Sequence, residues 1–340
     1  MKTPFFKPAL LIALCLSGWT TAQAQTPGAI EQSEALRRRQ DMEKRFKDAT
    51  ATGGSAPELF AEETKDVGPQ SILKMKQKKT YFEVVADSQF FYTSNMLLAE
   101  KNPGVRLTDT SVFVNTAQFA LAPTPYQIGP GLLAPRIGYR HQWFDYGLEK
   151  NSRGLGSFDF DVSTVFVDLR YRLGENWSVE AGFDWMRLLN HTPTYFSYDE
   201  IYKEYAPRVG VFRQFSFSET KVLSVGYQGS FHFSETPGNI PENQNNRLDN
   251  SLIAAYTHAL TSQLVLQPYY RIQYTHYTAS PFGTRNDLLQ TIGLSIHYYP
   301  TTRSGVRLFA GYDLKESDQP IVADYRKLDA GRGLNFNLKV

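Results

Sequence analysis

The 340-residue chain contains one cysteine, Cys15, and it lies in an N-terminal stretch with the marks of a leader. Once that stretch is removed no thiol remains, which excludes disulfides and cysteine ligation of a metal. Long apolar runs are missing as well. Beyond the N-terminus nothing approaches the roughly 18 consecutive apolar residues that a membrane-spanning helix needs. There is no charge excess either: 36 Lys and Arg stand against 34 Asp and Glu, a net +2 that falls to zero without Lys2 and Lys7. A nucleic-acid binder would carry a basic surplus. The six histidines (His141, His191, His232, His258, His276, His297) fall singly on different segments with none at zinc-ligand spacing, so no metal and no cofactor is expected. Gly154 and Gly156 lack the third glycine and the strand-to-helix setting of a dinucleotide loop.

What the chain has in quantity is aromatic residues, 20 Tyr and 23 Phe, distributed with a two-residue period. In Gln263 to Thr278, Leu264, Leu266, Tyr270, Ile272 and Tyr274 fall on one parity, and Gln267, Arg271, Gln273 and Thr275 on the other. That is a strand with one apolar and one polar face. Its length matches the nine to eleven tilted residues that cross a hydrocarbon core, where strands of soluble proteins mostly run to about five or six.

Residues 1–24 read as a secretory signal: Lys2 and Lys7, the apolar run Ala9 to Leu16, and Ala22-Gln23-Ala24 as a small-x-small cleavage site. Residues 25–79 form a separate segment. Ala29 to Ala49 is charged and free of proline, with Ile30, Leu36, Met42 and Phe46 too sparse for a core-facing stripe, so a solvated periplasmic helix is expected. Thr50 to Pro57 is a flexible break, and Lys74, Lys76, Lys78 and Lys79 make a basic approach to the first strand.

Residues 80–340 divide into about twelve strand-like segments joined by alternating long and short links, the layout of a transmembrane antiparallel up-and-down β-barrel. Charges on the lipid face would cost about 2–4 kcal/mol each for a basic residue near the midplane, so the polar parity must face the lumen. Three places fit less well. In Phe158 to Arg172 the apolar set switches from even to odd, which predicts a bulge near Ser163. Arg213 shares parity with Val209 and Val211, and Ala122 to Ala134 is long for a periplasmic turn. Asn190 to Pro207 reads as a long loop whose tyrosine-rich part, Thr192 to Tyr205, suits carbohydrate stacking or an aromatic girdle.

The signal, the alternating strands and the closing stretch Gly333 to Val340 together resemble Gram-negative outer-membrane β-barrel proteins. The resemblance implies an outer-membrane location, contact with its lipid, and recognition by the barrel assembly machinery through Leu334, Phe336, Leu338 and Val340. The last residue is valine where that family usually has an aromatic one. Peptidoglycan or a periplasmic partner would meet residues 29–49.

Inward parity assigns a candidate solute path to Glu83, Asp87, Arg136, Arg140, Glu180, Asp184, Arg271, Arg307, Asp313 and Lys315, together with Asp159 and Asp161. The expected function is a narrow channel or export pore for small polar solutes, with a structural or surface-interaction barrel as the alternative. No catalytic residue is assigned. Ser230, His232 and Ser234, with Asn246 in the next loop, are similar to the site of outer-membrane phospholipase A. However, Glu-Thr follows Ser234 in place of Asn-Gly, and parity puts His232 inside, so a lipid-modifying enzyme ranks last.

Overall fold

The computed structural model describes residues 81–96, 98, 109–147, 159–174, 176–191, 198–218, 220–281, 283–301, 303–320 and 322–339. The expected leader and periplasmic segment 29–49, the basic cluster at Lys74 to Lys79 and Val340 lie outside the described residues. The strands are β1 (Phe82–Thr93), β2 (Thr110–Leu121), β3 (Tyr126–Ile128), β4 (Gly131–Tyr146), β5 (Phe160–Leu173), β6 (Trp177–His191) and β7 (Tyr198–Ser218). They continue with β8 (Lys221–Glu235), β9 (Arg247–Ala259), β10 (Leu264–Tyr277), β11 (Arg285–Tyr298), β12 (Ser304–Ser317) and β13 (Tyr325–Lys339). Each pairs antiparallel with its neighbours; β2 pairs with β4 past the short β3, and β1 pairs with β13. Twelve strands therefore close into a ring, and no long edge is left for another chain to pair with.

Alternation decides which face each side chain takes. Along β10, Gln267, Gln273 and Thr275 are buried inside, while Tyr270 and Tyr274 stand exposed outside. The same outer belt carries Phe119, Ile137, Leu252 and Ile292, and Val209 on β7 is 61% exposed. Exposed rings flank it, Phe82, Trp177, Phe217 and Tyr298 at the end with short turns, and Tyr92, Trp143, Phe233 and Tyr274 at the other. Such an apolar band between aromatic girdles around a closed antiparallel ring is the architecture of an outer-membrane barrel. At the outer end, Asp318 just past β12 accepts the Asn286 backbone N–H at 2.7 Å and its Nδ2–H at 2.6 Å. These bonds hold its carboxyl below the usual aspartate range.

The irregular places resolve differently from the sequence expectations. β5 pairs without a break with β4 and β6, so there is no bulge at Ser163. The switch in its apolar parity arises because Val162 and Phe166 are buried inside the barrel. Asp161, with Ser163 and Val165, consequently belongs to the outward set, and Asp159, on the same parity, accepts the Tyr146 backbone N–H at 2.7 Å; both leave the luminal list. The register shifts instead between Leu188 and Leu189 and between Ser216 and Ser218. The expected loop Asn190 to Pro207 is mostly strand, because β6 runs to His191 and β7 starts at Tyr198. Tyr202 and Glu204 are buried inside while Lys203 faces out and pairs with Glu235 at 2.6 Å, so the tyrosine-rich stretch from Tyr198 to Tyr205 is barrel wall, and 192–197 lie outside the described residues. The link Ala122 to Ala134 folds as a hairpin of β3 on the start of β4, turned by Gly129 at φ 54°. Arg213 does face out, and its guanidinium lies over the rings of Trp177 and Phe215 at 5.3 and 4.7 Å near the short-turn end. There an arginine can bury its stem in the belt and keep its charge at the interface.

Three prolines sit inside strands; Pro135 of β4 keeps its place in the register opposite Leu169, and the other two break a pairing. The β9 pairing of β10 is interrupted at Pro268 and the β8 pairing of β7 at Pro207, since proline has no N–H to give the ladder.

Candidate functional site

The inward residues of neighbouring strands meet in rows, so charged groups on adjacent strands, or on strands one apart in the ring, come into contact along the luminal wall. All ten side chains of the candidate path lie on this inward set; Glu83, Asp87, Arg136, Arg307, Asp313 and Lys315 are buried, and Arg140, Glu180, Asp184 and Arg271 are half-buried. Glu83 on β1 reaches Arg136 on β4 at 2.9 Å, over the small Ala120 of β2. Arg136 continues to Asp168 at 4.0 Å, Asp168 pairs with Arg208, and Arg208 pairs with Asp184 at 2.5 Å. Gly182 stands between Asp168 and Arg208 in the register, and a Cβ there would strike the guanidinium. The missing side chain is what lets Arg208 cross a strand. Arg170 and Glu180 add a pair at 3.3 Å, and Arg140 lies on the inward set of β4 opposite Thr164.

A second group lies nearer the outer end. Glu204 accepts from Tyr202 and faces His232 Nδ1 at 2.7 Å and Arg247 at 3.0 Å. Asp249 closes the group, 3.2 Å from His232 Nε2 and 3.5 Å from Arg247. Ser230 Oγ is 2.9 Å from His232 Nε2, but Asn246 is engaged with Ser234, accepting its backbone N–H at 2.6 Å. The histidine thus sits between two carboxylates inside the lumen, and the arrangement compared above with a phospholipase is an ion-pair cluster.

Further round the wall, Asp287 lies between Arg285 at 2.6 Å and Lys315 at 3.1 Å, and Lys327 between Asp313 at 3.3 Å and Asp329 at 3.0 Å. Thr291 donates to Asp313 at 2.7 Å. Arg271 donates to Gln273 and to Ser251, Gln89 donates to Asp87 at 2.6 Å, and Arg307 lies 5.1 Å from the centre of the Phe309 ring. Buried charges persist when an opposite charge is close at hand, and each of these ion-paired groups has one within 4.0 Å. The apolar exception is a cluster of Phe91, Val112, Val114, Phe144, Val162, Leu188, Tyr202 and Phe309, which occupies the lumen chiefly at the long-link end of β1 to β7.

Sequence reasoning missed Asp168, Arg170, Glu204, Arg208, Arg247, Asp249, Arg285, Asp287, Lys327 and Asp329. A signal existed for several of them. Leu248 and Leu252 face out on β9, which fixes Arg247 and Asp249 inward by the same two-residue rule. Of the expected assembly signal, Leu334 and Phe336 are exposed on the outer face of β13 and Leu338 is half-buried.

No protein-family model matches the chain, and no curated protein matches it in sequence. Among solved structures it is similar to an outer membrane channel from Pseudomonas putida F1 at 11% identity, over 80% of this chain and 100% of that one, with a TM-score of 0.47. It is similar to the beta domain of the Bordetella autotransporter BrkA at 12% identity, over 75% and 99% of the two chains, with a TM-score of 0.43. A third likeness is to the translocator domain of the autotransporter NalP from Neisseria meningitidis, 12% identical over 89% and 97%, with a TM-score of 0.41. At such scores these likenesses assign no activity to the chain.

Proposed function

We propose that this barrel is a narrow outer-membrane channel for small polar solutes. The observation that carries the reading is the inward face: acids and bases from β1 and from β4 to β13 converge on the lumen of a closed twelve-strand ring. Ionisable groups at membrane depth are costly, and groups that line a polar pathway are where they are usually found. Twelve strands lie between the eight that side chains can fill and the sixteen or more that leave a wide aqueous pore, so a constricted path is the expected bore. Both signs on the wall favour zwitterionic or hydrogen-bonding solutes over ions of one charge.

One observation favours a second reading, a barrel that serves as a scaffold. Gln89, Thr291 and Asp329 are fully buried at 0%, and the apolar cluster narrows the outer end. Planar-bilayer recording of the purified protein separates the two. A channel gives small discrete current steps, and Arg271→Gln shifts the reversal potential in a salt gradient toward cation preference. A silent bilayer with correctly folded protein removes the channel and leaves the scaffold.

A further inference from the structure

Outside the lumen, one polar constellation stands on the lipid-facing wall with no part in the channel. His141 on β4 lies opposite Ser163 on β5, and Asp161 is two residues further along the same outward face. Ser163 Oγ is 2.8 Å from His141 Nδ1, and His141 Nε2 is 3.4 Å from Asp161 Oδ2. The Tyr139 hydroxyl is 3.1 Å from both Ser163 Oγ and His141 Nδ1. Trp143 meets the imidazole edge-on at 4.5 Å between ring centres and helps to hold it upright. His141 and Asp161 are only partly exposed, 17% and 13% at their side chains. A hydroxyl, an imidazole in reach of it, and a carboxylate on the far side of that imidazole are the set needed to activate a serine as a nucleophile.

The height of the group on the wall indicates its substrate. Below it on β5 come Val165, Val167 and Leu169 of the apolar belt. Ser163 is paired in register with Arg187, which joins Glu200 in an ion pair at 2.5 Å, the start of a charged rim. The trio is therefore at the boundary between acyl chains and headgroups, the depth at which membrane lipids carry their ester carbonyls.

We infer that Ser163, His141 and Asp161 form a lipid-facing hydrolytic site for a fatty acyl ester of a membrane lipid. Ser163 Oγ attacks the ester carbonyl carbon while its proton passes to His141 Nδ1. The carbon–oxygen bond to the alcohol breaks, and the departing alkoxide takes that proton. Water then attacks the acyl-Ser163 carbonyl, giving a proton to Nδ1. Oγ leaves with that proton, and the fatty acid is released. Asp161 faces the Nε2–H and stabilises the imidazolium, and the Tyr139 O–H supplies a hydrogen bond to the oxyanion.

The test uses the full-length barrel in detergent, with folding monitored by its heat-dependent gel mobility. A fluorophosphonate probe is expected to label Ser163, identified by peptide mass spectrometry. Mixed micelles containing phospholipid and, separately, lipopolysaccharide are assayed for released fatty acid, and the arm that yields it identifies the lipid. Ser163→Ala brings release to background, His141→Asn lowers it at least about 100-fold, and the outward Ser88→Ala leaves it unchanged. Folded protein that is neither labelled nor active overturns the proposal. So does release that survives Ser163→Ala, and labelling with no release from either lipid rules out the lipid substrate.

Discussion

Lys327 is held between two carboxylates, with its side chain and those of Asp313 and Asp329 nearly excluded from water. Taking these ions out of water is costly, and the arrangement survives because each charge faces an opposite one within about 3 Å. Lys327→Met leaves two acids confronting each other, and an equilibrium unfolding curve in urea is expected to show a loss of about 3–5 kcal/mol. Adding Asp313→Asn and Asp329→Asn should recover much of that loss, because neutral partners need no counter-charge. A variant that unfolds at the wild-type urea midpoint would mean the ammonium contributes nothing. Sequence reasoning passed over Lys327 and Asp329, yet a signal for their side of the wall existed: Leu334 and Phe336 set the outward parity of the last strand, which sends both inward. Individual partners were not readable, since Glu83 finds Arg136 across β2 and only the folded ring brings them together.

Strands β5, β7 and β8 show what alternation can and cannot reveal. Hydrophobicity labels the faces only while the lumen is polar, and Val162, Phe166 and Phe212 are apolar side chains turned inward. On β5 this inverted the apparent parity at the outer end, moving Asp159 and Asp161 to the wrong side of the wall. On β7 the irregularity opposite Leu188 and Leu189 broke the period, so a strand looked like a loop. The interior apolar packing also constrains glycine. Phe212 is paired with Gly226, and its ring occupies the space a Cβ at Gly226 would take. Gly226→Val must displace that buried ring, with an expected cost of about 1–3 kcal/mol, measurable as an earlier thermal transition by circular dichroism. An unchanged transition would show that Phe212 has room to move.

The whole ring depends on the β1–β13 seam. There Gly331 faces Phe91 so closely that a Cβ would collide with its backbone, and Asn337 donates to Glu83 at 3.2 Å. Removing residues 325–340 deletes β13 and opens two edges. The truncated protein is expected to lose the compact, heat-sensitive band that the intact barrel gives on an unheated detergent gel. Persistence of that band would mean the ring can close without its last strand. At this scale the sequence was most informative: a strand period of two and alternating link lengths dictate a twelve-strand cylinder. The bore was not legible, because it depends on which side chains meet across the lumen. The seam joins positions 254 apart in the chain, and the loop-closure entropy of so distant a contact falls late in folding. The first strand therefore waits, unmatched along one edge, until translation has delivered the last, so the cylinder completes its shape all at once.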